Sequence, residues 1–190
     1  AEVGWGMDRN APPAMKTSKP ETPAPAVAST VDCIARHAAG RPDAAAVVLG
    51  GQEISYRAFH RDIGRMVAAL GGSGGSGGLG LEAGQSVAVE TWNGYLHWLV
   101  LLACDVLGVV TLSYAPTGEF PEGDGLAAMD LVMCSAGRAP ARARRVHVMD
   151  QAWVDAVMAR EPLWPVGPVG PAAADGTAPF RIVKSSGTTG

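Results

Sequence analysis

Charge is scarce in this chain, and no basic excess exists: 15 lysines and arginines stand against 18 aspartates and glutamates among 190 residues, a net charge of −3. Capture of a nucleic-acid backbone needs a basic field or stripe, so nucleic acid is excluded as a partner. Cysteine is rare as well. Cys33, Cys104 and Cys134 are odd in number, far apart and set in apolar stretches, without metal-ligand spacing. They read as buried thiols of a reducing compartment. The four histidines, His37, His60, His97 and His147, are equally scattered and form no HExxH pattern, so no metal site and no catalytic role is assigned to them. Long hydrophobic runs are missing too: the longest, around Tyr95 to Val110, is interrupted by His97 and Asp105 and is too short to span a bilayer comfortably. No charged-then-apolar signal segment opens the chain. The expectation is a cytoplasmic protein without a membrane span.

What is present is apolar side chain, 47% of the sequence, enough for a substantial core within one domain. Residues 1–28, with Pro12, Pro13, Pro20, Pro23 and Pro25, read as a flexible lead or tag. From Ser29 the pattern changes. Val31, Ile34, Ala35 and Ala38 recur at helical spacing behind a Ser29/Thr30 cap, and Gly40 with Pro42 ends the helix. AAVVLGGQEISY reads as a β-hairpin turning at Gly50-Gly51. Ser55 then caps a second helix with Phe59, Ile63, Met66, Val67 and Leu70 on one stripe.

Residues 71–78, GGSGGSGG, have the composition of a flexible linker, yet their flanks look continuous, so no domain boundary is placed there. Beyond them come the strand SVAVE, a helix striped by Tyr95, Leu99, Leu102, Ala103 and Val106, and strands around Val109–Leu112, Asp130–Cys134 and Val146–Met149. A short helix spans Ala152 to Ala159, a Pro/Gly/Ala-rich connection covers 161–179, and FRIVK is the last strand. Strands separated by helices predict an α/β fold: a mainly parallel sheet flanked by helices and covered on both faces.

Behind that last strand stand Ser185, Ser186, Gly187, Thr188, Thr189 and Gly190. Hydroxyls and flexible backbone N–H groups in one tight turn can close around phosphate oxygens. The run is no Walker loop, because Gly187 and Gly190 are too close. Nor is it a nucleophile elbow, since neither serine lies in G-x-S-x-G. A phosphate cradle and an ordinary polar turn both remain open.

The run resembles the phosphate-binding loop of the adenylate-forming superfamily, [ST]-S-G-[ST]-T-G, and Ser185 to Gly190 match its six places. GGQEISYRAFHRDIGRMVAAL is similar to the same family's strand pair leading into a T-Y-x-E-L-type helix, and LEAGQSVAVETWN to its G-x-x-x-G-D-x-V-A-x-x-x-x-N segment, with Asn93 in the place of the common Asn. The intervals from Asn93 to Gly108 and from Gly108 to Pro116 also match. Departures are Lys184 before the loop, Gln85 for the usual Asp, Ser113-Tyr114 for Pro-Leu, and a shortened, Gly-rich stretch from Thr117 to Ala128.

The resemblance covers residues 29–190 and implies the first subdomain of the large N-terminal domain of an adenylate-forming enzyme. It implies ATP, Mg²⁺ and coenzyme A as ligands, a small carboxylic acid as substrate, and an acyl-adenylate passed to coenzyme A or to the phosphopantetheine of a carrier protein. Members may also accept a ready-made acyl-adenylate. Ser185, Ser186, Gly187, Thr188, Thr189 and Gly190 would bind the nucleotide. No catalytic or metal-binding side chain is assigned, because the family's lie beyond the matched stretch; the 190 residues alone are expected to be inactive. A non-catalytic phosphate-binding α/β module is the alternative of another class.

Overall fold

The computed structural model describes residues 29–72, 77–90, 93–115, 128–138, 143–164, 179 and 181–182. Ser29 opens helix α1 (Thr30–Gly40): its side chain accepts from Asp32 N at 3.0 Å while Asp32 accepts from Ser29 N, a reciprocal cap that satisfies two otherwise orphaned donors. Strands β1 (Ala45–Leu49) and β2 (Gln52–Ser55) pair antiparallel with Leu49 opposite Gln52. The two-residue turn needs positive φ at both central positions, and Gly50 (57°) and Gly51 (81°) supply it.

Ser55 caps α2 (Tyr56–Gly71), which buries Phe59, Ile63, Met66, Val67 and Leu70 along one stripe. Strand β3 (Ser86–Glu90) follows, then α3 (Gly94–Leu107), apolar on nearly every side because it lies between the sheet and α2. Gly108, at φ 70°, ends it, its N–H reaching Asp105 O. The remaining elements are β4 (Val110–Tyr114), β5 (Leu131–Cys134), β6 (Val146–Val148), α4 (Gln151–Met158), capped by Asp150, and β7 (Arg181–Ile182).

Five strands form one parallel sheet in the order β6-β5-β3-β4-β7. Central strands of such a sheet are buried on both sides, which is why β3 and β5 read as unbroken apolar runs rather than alternating ones. Val87, Val89, Leu131 and Met133 pack with all four helices in one core. Ala88, Leu112, Tyr114 and Val132 point the other way and cluster with Met129 and Ala143. Among the described residues no helix reaches that second face; Ala143, in the β5–β6 connection, packs on it.

The flanks of the glycine–serine stretch lie side by side. Leu79 N donates to Ala69 O and Leu81 N to Leu70 O, both at 2.9 Å. A Cβ on Gly78 would stand 2.5 Å from Gly72 O, so the close approach requires glycine there. After α4 the chain straps back over α2: Leu163 N donates to Gly64 O at 3.0 Å, and Trp164 stacks on His60 at 4.1 Å. No helix among the described residues is long and apolar enough to cross a membrane.

Candidate functional site

In an open parallel sheet, ligands bind outside the carboxyl ends of the strands where neighbouring connections diverge. Here that point lies between β3 and β5: β3 leads through α3 to β4 on one side, while β5 leads to β6 on the other. At it sits Glu90, the last residue of β3, only 1% exposed. A buried carboxylate is costly unless its oxygens are satisfied. Both are. Ser135 donates its backbone N–H and its hydroxyl to Glu90 Oε2, each at 2.6 Å, and Arg138 Nε–H donates to Oε1 at 2.5 Å.

Burial pushes the Glu90 carboxyl up, but the hydrogen bonds from Ser135 and Arg138 and the Arg138 charge outweigh it and hold the group below the ordinary glutamate range. It is ionised at neutral pH. The donors come from one turn just after β5, closed by Arg138 N to Ser135 O at 3.2 Å, with Gly137 at φ 77° supplying the left-handed position a side chain would resist. Tyr114, ending β4 next door, donates its hydroxyl to Met133 O at 3.3 Å.

The six residues read from the sequence as a phosphate cradle, Ser185, Ser186, Gly187, Thr188, Thr189 and Gly190, lie outside the described residues, as do Lys184 and Trp92. The strand before them is in place. β7 extends the sheet beside β4, with Arg181 opposite Thr111 and Ile182 opposite Leu112. Asn93 is the cap of α3, its side-chain oxygen accepting from Leu96 N at 3.0 Å. Tyr95 donates its hydroxyl to Asp62 at 3.0 Å within the helical layer, and Trp98 is 52% exposed against Phe59.

The histidines are all engaged locally: His37 against Tyr56, His60 on Trp164, His147 edge-on to Trp153, and His97 Nε2 3.0 Å from Ser113 Oγ. Burial, aided by Arg181, lowers the His97 pKa. Cys104 and Cys134 are buried and Cys33 is half-buried; all three are free thiols. Among the described residues, no group of three or more His, Cys, Asp or Glu side chains could hold a metal ion.

Sequence reasoning missed Glu90, Ser135 and Arg138. One signal was present, a carboxylate closing the otherwise apolar strand VAV, but its partners stand 45 and 48 residues further on.

No protein-family profile and no curated protein matches the sequence. Solved structures do. The chain is similar to the N-terminal subdomain of Klebsiella oxytoca NpsA in complex with 3-hydroxybenzoyl-AMSN (TM-score 0.66, 18% identity, 86% of this chain and 39% of that one). It is also similar to NpsA-ThdA, an artificially fused adenylation–PCP di-domain from the same organism (TM-score 0.65, 17% identity, 83% and 28%). A third is O-succinylbenzoate coenzyme A synthetase (MenE) from Bacillus subtilis in complex with AMP (TM-score 0.60, 15% identity, 83% and 39%). The chain spans at most 39% of the length of these structures. Its fold is that of the N-terminal portion of adenylate-forming enzymes.

Proposed function

We propose that this chain is the opening portion of an ATP-dependent acid–thiol ligase. One juxtaposition carries the reading: β7, the edge strand of a parallel sheet with the adenylation-enzyme fold, leads in sequence directly into the run Ser185 to Gly190. A carboxylate is a poor electrophile, whereas AMP is a good leaving group. In the first half-reaction a carboxylate oxygen bonds to the α-phosphorus of ATP, and the bond to the bridging oxygen breaks with its electrons leaving on pyrophosphate. In the second, a thiol loses its proton, its sulfur bonds to the acyl carbon, and AMP departs.

The backbone N–H groups of the run and the hydroxyls of Ser185, Ser186, Thr188 and Thr189 would orient the β- and γ-phosphates and stabilise charge on the departing pyrophosphate. Mg²⁺, implied by the family resemblance, would share the phosphate charge with this run when bound. The acyl acceptor in this reading is coenzyme A, the acceptor in the name of MenE; the thiol of a carrier protein is the second reading, favoured by the likeness to NpsA-ThdA. Use of a ready-made acyl-adenylate is a variant of the first. Cytoplasmic location goes with these substrates and with the reduced thiols.

The test is ATP–pyrophosphate exchange by the full-length enzyme over a panel of aliphatic and aromatic acids, with thioester formation on coenzyme A and on a carrier protein measured separately. Replacing Thr188 and Thr189 with Val should lower exchange at least tenfold, about 1.4 kcal/mol of transition-state stabilisation, while the circular-dichroism spectrum stays unchanged. Unaltered exchange in that variant would overturn the phosphate role. Absence of exchange and thioester with every acid, alongside retained phosphate binding, would favour the non-catalytic module.

A further inference from the structure

Arg138 is held by one edge only. Its Nε–H is committed to Glu90, while its Nη1 and Nη2 nitrogens donate to no described residue, and the side chain is 36% exposed. A guanidinium is a rigid plane, so fixing Nε fixes where the outer pair of nitrogens faces. Three features anchor that plane: a carboxylate with no freedom of its own in the sheet interior, the two Ser135 donors that hold the turn, and Gly137 at its left-handed corner. The assembly stands at the strand ends where the sheet's connections diverge.

We propose that Arg138, oriented by Glu90 at the carboxyl edge between β3 and β5, is a recognition point for an oxyanion on a bound ligand, a carboxylate or a phosphate. A flat fork of outward N–H groups suits either one bidentately. This rests on the ligase reading only for which ligand carries the anion. The guanidinium sits against Glu90 at the end of β3, two strand spacings, about 10 Å, from β7. The anion is a second carboxylate of the acid, or a phosphate of the nucleotide or the thiol substrate.

The experiment is an NMR titration of the ¹⁵N-labelled 190-residue chain with succinate and, separately, with inorganic phosphate, at constant ionic strength set with chloride. The Arg138 Nε–H signal and the Ser135 and Gly137 amides should move saturably with one of the two probes, which identifies the source. Arg138→Gln should weaken that binding about tenfold or more, and Arg138→Lys, which keeps the charge but not the fork, should weaken it less. The rest of the spectrum reports whether each variant is folded. Linear, non-saturating shifts with both probes, or undiminished affinity in folded Arg138→Gln, would overturn the proposal. These readouts need no turnover, so loss of the exchange activity and loss of this site are separately visible.

Discussion

Glu90→Gln changes two atoms' chemistry and almost no volume, which makes it the cleanest probe of the buried network. The parent carboxylate receives three hydrogen bonds, at 2.6, 2.6 and 2.5 Å. Glutamine offers one acceptor oxygen and one NH₂ group, so one side of the network must face a donor with a donor. If the oxygen stays with Ser135, Arg138 loses a charge-assisted bond of about 1.5–3 kcal/mol, tempered by its access to water. If the amide flips, the Ser135 donors lose theirs at a similar cost. The expected loss is about 2 kcal/mol, below the roughly 3–5 kcal/mol of removing one partner from a fully enclosed pair. In urea unfolding followed by circular dichroism, that is a midpoint lowered by about 1 M at a slope near 2 kcal/mol/M.

The pH dependence has a definite sign. The folded-state pKa of Glu90 is held below its ordinary value of 4.5, so the carboxylate's contribution is fully present above that value and is lost as pH falls through the folded-state pKa. The gap between parent and variant should be complete at neutral pH and close in acid. Equal midpoints at neutral pH, or a gap that widens on acidification, would refute the reasoning.

Two further outcomes follow from the packing. A Cβ on Gly64 would meet Pro162 Cβ and Trp164 Nε1 at 2.8 Å, so Gly64→Ala should displace the strap across α2; overpacking of about 1–3 kcal/mol exceeds the helix-propensity gain of about 1 kcal/mol, and a lowered melting temperature with faster proteolysis near Arg160 is expected. Among the three thiols, only Cys33 should be alkylated by iodoacetamide in the native chain at mildly alkaline pH. Burial, with Asp105 nearby, pushes the Cys104 thiol up to about 12, and burial also raises Cys134; mass spectrometry finding either labelled before unfolding would contradict this.

Much of the local architecture was legible in the residues. Ser29 and Ser55 each precede an apolar stripe of helical period, and both cap helices; Gly50-Gly51 between two short apolar runs makes the hairpin turn. The resemblance matched Asn93 to the family's common Asn, and the structure gives it a plain physical task, capping α3. The candidate site was legible only in part. A hydroxyl–glycine run is a local signal; a buried ion pair is not, because Glu90 looks like any surface carboxylate until β5 is laid beside β3.

Element types, the serine caps, the hairpin turn and the α/β class were determined by the sequence itself, since each depends on neighbours within a few residues or on periodic burial of apolar side chains; the adenylation-type fold was indicated by the family resemblance alone. The tertiary structure decided the strand order β6-β5-β3-β4-β7, the gathering of the described helices on one face, and the meeting of Glu90 with Ser135 and Arg138. Those outcomes depend on which strands pair across long stretches of chain, and pairing energies between parallel strands leave no local periodicity to read.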